Sequence, residues 1–311
     1  MEYELIPHPL DRRKYLPDPR GRVDRWFQAR NGSNAGTTRE VVALLSGGAD
    51  LLLDPFAGAG STAAAARSMD VPFHGIECDP VLAAIGMAKA TAATRHVRWF
   101  AELAEGVTAA SVEDVCAAIA DRVPAEDVAA VSALAVSACV RDGDRPLRAE
   151  ELMADLEDSA PPRPQSTLAL GDCTDERAWK RLRLQGHRPV VYTSPPFGET
   201  SPRLRVPDPV RAAAERLFSR SGLAVGAPAQ DTFDRYEDVV LRMLRIAVKR
   251  LSNAVLIMEC EPDDHGHDPA EKVADAICAE FAPWISRVRV LDCGAFSWRG
   301  RFSLIVCDTA T

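Results

Sequence analysis

Long apolar runs are missing from these 311 residues. No stretch approaches the roughly 18 uncharged apolar residues of a membrane-spanning helix. The first residues, "MEYELIPHPLDRRKY", hold no apolar signal core. A cytoplasmic protein without membrane association is therefore expected. The eight cysteines form no CxxC pair, and most sit in apolar stretches. That usage fits small buried hydrophobes, and it argues against a disulfide framework or a cysteine zinc site. No Gly-Lys-Ser/Thr follows a glycine turn, which excludes a P-loop, and no GxSxG marks a serine hydrolase.

Charge is present in both signs but unevenly placed. The formal net charge is −8, yet residues 101–165 alone hold 14 Asp/Glu against 5 Arg, leaving the remainder near neutral. Overall acidity is thus a poor guide to partners. Residues 8–30 run the other way, with seven Lys/Arg against three Asp/Glu and with Tyr15, Trp26 and Phe27 interspersed.

Periodicity divides the chain into an irregular arm (1–36), an α/β region (37–100), an acidic all-helical insertion with a linker (101–165) and a second α/β region (166–311). In the α/β regions, short apolar runs such as "DLLLDPF" and "VPFHGIECDP" alternate with helical patterns such as "TTREVVALLS" and "VLAAIGMAKATAA". This alternation predicts parallel βαβ units, about seven strands in all, ending in a hairpin. "DERAWKRLRLQ" reads as a basic helix. The stretch after "TSPPF", with arginines at 203, 205, 211, 216 and 220, reads as a long loop.

Four short segments sit where predicted strands end. "DPFAGAGST" (54–62) turns from strand to helix through glycines, which lets a ligand approach backbone amides; a plain structural turn is the competing reading. Glu77 and Asp172 end two further strands, placed either to accept hydrogen bonds from a ligand or to be solvated. Ser194-Pro195-Pro196-Phe197 ends a fourth. The prolines lack amide donors, so this turn offers stiff carbonyl acceptors, and Phe197 offers a face for a planar ring. His265 and His267 lie among acids in "ECEPDDHGHDP", where capping and a solvated loop suffice; no metal site is expected.

In this order, "DPFAGAGS", "GIECDP", "GDC" and "TSPPF" resemble the motifs of S-adenosylmethionine-dependent DNA amino-methyltransferases of the cytosine-N4/adenine-N6 type. The resemblance spans roughly residues 25–95 and 165–310. It implies a Rossmann-like class I methyltransferase sheet, seven-stranded and mostly parallel, with the last strand antiparallel. It implies further that Asp54, Pro55, Phe56, Gly58, Gly60, Ser61 and Thr62 cradle the methionine part of the cofactor. Thr38 would lie in the helix that closes over that end. Glu77 with Cys78 would hold the ribose, Asp172 with Cys173 the adenine, and Ser194 to Phe197 the target amine.

The serine form of the proline motif points to cytosine N4 in DNA, ahead of adenine N6. The chain departs from the resemblance in lacking a basic recognition region, since its one large insertion is acidic. Contacts to nucleic acid would fall to Tyr15, Trp26, Arg203, Arg205, Trp298 and Arg299, and the insertion is the expected surface for any protein partner. The same chemistry on RNA, a peptide or a small molecule, or a non-catalytic cofactor-binding subunit, are the alternatives.

Overall fold

The computed structural model describes residues 1–7, 23–26, 35–140, 148–184, 188–195, 206–225, 236–260, 268–296 and 300–310. Eight strands, β1 (Glu4–Pro7), β2 (Leu51–Asp54), β3 (Phe73–Glu77), β4 (Thr167–Leu170), β5 (Pro189–Thr193), β6 (Val255–Cys260), β7 (Ile285–Phe296) and β8 (Gly300–Thr309), form one sheet. Its order is β1-β7-β8-β6-β5-β2-β3-β4. Every strand runs in one direction except β8, which is antiparallel to both β6 and β7.

The apolar runs are continuous because both faces of the sheet are covered. Leu52, Leu168, Val190 and Tyr192 face one core; Leu53, Ala169 and Val191, their neighbours in sequence, face the other. Against the first face pack α1 (Ala35–Ser46), α2 (Ser61–Ser68) and α3 (Pro80–Thr91), and the same core continues outward through α4 (Thr94–Leu103), α5 (Val112–Arg122), α6 (Ala125–Ala138), α7 (Ala149–Glu157) and α9 (Asp208–Arg220), which pack on α3 and on one another. Against the second pack α8 (Glu176–Trp179), α10 (Tyr236–Arg250) and α11 (Ala270–Glu280). The chain winds outward from β2 to β3 and β4, then returns to β5 on the other side of β2. The architecture is α/β with a mixed eight-stranded sheet, compatible with a Rossmann-like fold. Among the described residues, no helix is long and apolar enough to cross a membrane.

Three expectations need correction. The arm read as irregular supplies the eighth strand, with Glu4 to Pro7 paired to Arg289 to Asp292 at the sheet edge. The stretch read as a loop from 203 onward contains α9, because Val210, Ala213, Ala214, Leu217 and Phe218 form a buried face at helical spacing. The basic helix read over "DERAWKRLRLQ" is the single turn Glu176–Trp179, capped by Asp175, which accepts a hydrogen bond from the Arg177 amide.

Helices of the 101–165 segment are integral to the body. α6 lies against α3, and both α5 and α6 lie against α9. The segment returns to the sheet along α2, where the buried Arg67 guanidinium donates to the Ala160 and Ala92 carbonyls, each at 2.7 Å. A short 3-10 turn, Val23–Trp26, is held under the helices from two sides. Asp24 pairs with Lys89 of α3 at 3.0 Å and accepts the first amide of α1 from Ala35 at 3.0 Å. Trp26 donates its indole N–H to Asp155 of α7 at 2.9 Å.

Candidate functional site

Strands β5, β2, β3 and β4 are adjacent and parallel, so their carboxyl ends lie side by side. The sheet reverses its winding between β2 and β5, the position where open α/β sheets form a ligand crevice. Four of the motif segments begin at these ends.

Asp54 ties two of them together. It is 4% exposed. Its Oδ1 accepts from the Phe56 amide at 3.0 Å and from the Thr193 hydroxyl at 2.7 Å, while Oδ2 accepts from the Thr62 hydroxyl at 2.6 Å. One carboxylate thus binds the start of the glycine turn, the first turn of α2 and the end of β5, immediately before Ser194. Burial pushes its pKa up to about 6, against the three hydrogen bonds that favour the charged form; Glu259 adds to the upward push. Asp54 is buried and spends three acceptor sites on the protein itself, so it acts as the frame of the site.

The glycine turn divides into two jobs. Gly60 (φ +79°) caps α2, and a Cβ there would stand 2.6 Å from the Gly86 Cα of α3, so this glycine lets two helices touch. Gly58 (φ +50°) faces open space, with Phe56 O, at 3.9 Å, the nearest atom to a Cβ built there. Its amide donates to Glu77 Oε2 at 2.8 Å. Glu77 Oε1 accepts from the Asp79 amide at 2.8 Å and from the Cys78 thiol at 3.5 Å. Burial raises Glu77 to about 7, the two amides opposing it. A carboxylate has about four acceptor sites. Three donors leave room for a ligand hydroxyl.

Further along this edge, Gly171 donates its amide to the Glu77 carbonyl at 2.9 Å, which aligns the ends of β3 and β4. Asp172 is half-buried; its Oδ1 accepts from the Thr174 amide and hydroxyl at 2.7 and 2.8 Å, and Oδ2 has no hydrogen bond among the described residues. Thr38, on α1, is fully buried and its hydroxyl has no partner among the described residues. An orphaned hydroxyl, an open glycine and two carboxylates with spare acceptors are the features that a ligand rich in hydroxyl, ammonium and amine donors would complete. Ser194 is half-buried and makes no hydrogen bond among the described residues, and Pro195 is buried.

Other expected site residues have different surroundings. Pro55 is buried, Phe56 and Ser61 are half-buried, and Thr62 serves Asp54. Cys173 lies in the core, and its own carbonyl accepts from the Trp179 indole at 2.7 Å. Burial pushes the Cys78 and Cys173 thiols up, far from thiolate chemistry at neutral pH. Trp26, expected at a substrate surface, is 3% exposed and bonded to Asp155, so its ring packs the arm onto the body. Tyr15, Pro196, Phe197, Arg203, Arg205, Trp298 and Arg299 lie outside the described residues, as do His265 and His267.

Three contributors are absent from the sequence reading. Arg211 of α9 donates to Asp79 Oδ2 at 3.1 and 3.2 Å, and Asp79 in turn caps α3 through Oδ1 and gives its amide to Glu77. Buried Tyr192 donates to buried Glu259 beneath the end of β5. Periodicity alone would have placed Arg211 on a helix; no sequence signal pairs Tyr192 with Glu259. No protein-family model matches the chain, and a search of curated proteins finds no match.

Proposed function

We propose that the chain is an S-adenosylmethionine-dependent N-methyltransferase acting on an exocyclic amino group, with cytosine N4 in DNA ahead of adenine N6. The observation that carries this reading is the meeting of the four motif segments at neighbouring strand ends, with Asp54 bonded to both the glycine turn and the residue preceding Ser194. The antiparallel last strand agrees with the fold that the motifs imply.

In this reading Glu77 and Asp172 take the hydroxyl and amine donors of the nucleoside, and Thr38 and the open side of Gly58 receive the amino-acid end. S-adenosylmethionine supplies an electrophilic methyl group when bound. The chain's task is to hold an amine in line and to raise its nucleophilicity. The Ser194 hydroxyl and the Pro195 carbonyl accept the amine hydrogens, which keeps the nitrogen lone pair out of conjugation with the ring. Placement and amine polarisation supply most of the rate, since oriented contact alone is worth about 7–11 kcal/mol in favourable cases. Thr193, held by Asp54, fixes the strand end from which Ser194 projects.

A smaller acceptor is the second reading, and specific contacts favour it. Trp26 and Arg211, which a basic and aromatic nucleic-acid surface would use, are engaged within the protein with Asp155 and Asp79. Tritiated methyl transfer to DNA, RNA, protein and metabolite fractions separates the two. Label in DNA that disappears with Ser194→Ala, while that variant still binds cofactor by calorimetry, is the expected result. Label confined to metabolites or peptides moves the assignment to the second reading. Absence of S-adenosylmethionine binding removes both.

A further inference from the structure

On the face of the molecule formed by α5, α6 and α9 lies a cleft of about 150 Å³. Nothing in the methyl-transfer reading uses it. Val128, Ala129, Ala213 and Leu217 give it apolar walls. Ser132, 4% exposed, contributes a hydroxyl, and burial pushes the Cys116 thiol up to about 11, so this part of the lining carries no charge near neutrality.

Charge is confined to three lining residues. Arg216 is already paired with Glu113. Arg220, one turn further along α9, is exposed and has no ion-pair partner among the described residues. The lining therefore carries one uncompensated positive charge beside an apolar cleft. We propose that the α5–α6–α9 cavity is a binding site for a small carboxylate with an aliphatic or aromatic body, its carboxylate on Arg220 and its body between Val128, Ala129 and Leu217. One guanidinium fork matches one carboxylate in a bidentate pair. A second anionic group would face Glu113. The site is independent of methyl transfer and stands or falls without it.

Calorimetric titration of the full chain with 4-phenylbutanoate, and with its uncharged amide, tests the assignment. The carboxylate should bind about ten-fold tighter than the amide, the scale of one charge-assisted contact. Arg220→Ala, a surface change, should abolish that preference and leave the weak amide binding in place. Ala129→Phe should fill the cleft and remove binding of both. Equal binding of acid and amide, no binding of the acid at millimolar concentration, or acid binding unchanged in both variants would each overturn the proposal.

Discussion

The two glycines of the turn after β2 should respond in opposite ways to the same methyl group. At Gly60 an added Cβ meets backbone, the Gly86 Cα at 2.6 Å, and the φ of +79° is itself costly for an L side chain. The conformational cost is about 1–2 kcal/mol, and forcing apart two packed helices adds about 1–3 kcal/mol. Gly60→Ala should therefore lose about 2–5 kcal/mol of a stability that for a whole domain is only about 5–15 kcal/mol. At Gly58 the φ is +50° and no clash follows. Gly58→Ala should lose only the conformational part, about 1 kcal/mol, but should intrude on the open side of the turn. Urea unfolding measures the first effect and S-adenosylmethionine calorimetry the second. With a slope near 3 kcal/mol per molar urea, the Gly60 variant's midpoint should fall by about 0.7–1.7 M. Gly86→Ala is an instructive control. Its methyl meets the Leu168 Cδ1 at 2.8 Å, a side-chain end that can rotate away, so it should cost less than Gly60→Ala. Equal stability of the Gly58 and Gly60 variants would refute the division of labour.

Other outcomes follow from buried charge and buried hydroxyls. Lys89→Met leaves Asp24 buried without its cation and should cost about 3–5 kcal/mol, read as a lowered thermal midpoint; partial recovery is expected on adding Asp24→Asn. Asp54 and Glu77 both sit above their unfolded values. Such groups stabilise the fold while protonated, and that stabilisation is lost as pH rises from about 4 to about 7. Asp54→Asn, whose amide can still serve Phe56, Thr193 and Thr62, should remove Asp54's share of that slope when unfolding midpoints are compared across the range. If Glu77 binds ligand hydroxyls as a carboxylate, S-adenosylmethionine affinity should rise as pH passes about 7, and a flat profile would count against that role. Thr38→Val removes a buried hydroxyl with no partner among the described residues, so it should hold or raise stability, by up to about 1 kcal/mol, and weaken cofactor binding.

The sheet strands are legible because each is an apolar run buried on both faces and bounded by turn residues, as in "DLLLDPF" and "PVVYT". The helices of 101–158 are equally legible from their spacing. The motif residues could be placed at strand ends for the same reason. What could not be read depends on distant partners. Glu4 to Pro7 is four residues long, and its strand character comes from Arg289 to Asp292. Lys89 looks misplaced in an apolar helix until Asp24 is seen against it, and Trp26 looks like a surface ring until Asp155 is. α9 is a different failure. Its apolar spacing lies in the sequence at 210, 213, 214, 217 and 218, interleaved with arginines that give the stretch the polar look of a loop.

The pairing of β1 with β7 joins segments far apart in the sequence, Glu4 beside Arg289. During synthesis β1 is made long before its partner strand emerges. Until then "ELIP" has an unfilled row of backbone donors and acceptors, while the glycine turn, Glu77 and α3 can already assemble behind it. The far edge of the sheet is therefore closed late, and a nascent chain or a C-terminal truncation exposes a strand in search of another edge. Deleting residues 1–7 should then leave the β2–β4 half of the molecule intact and free the outer edge of β7 for association, so light scattering, more than spectroscopy of the fold, is where the loss should register.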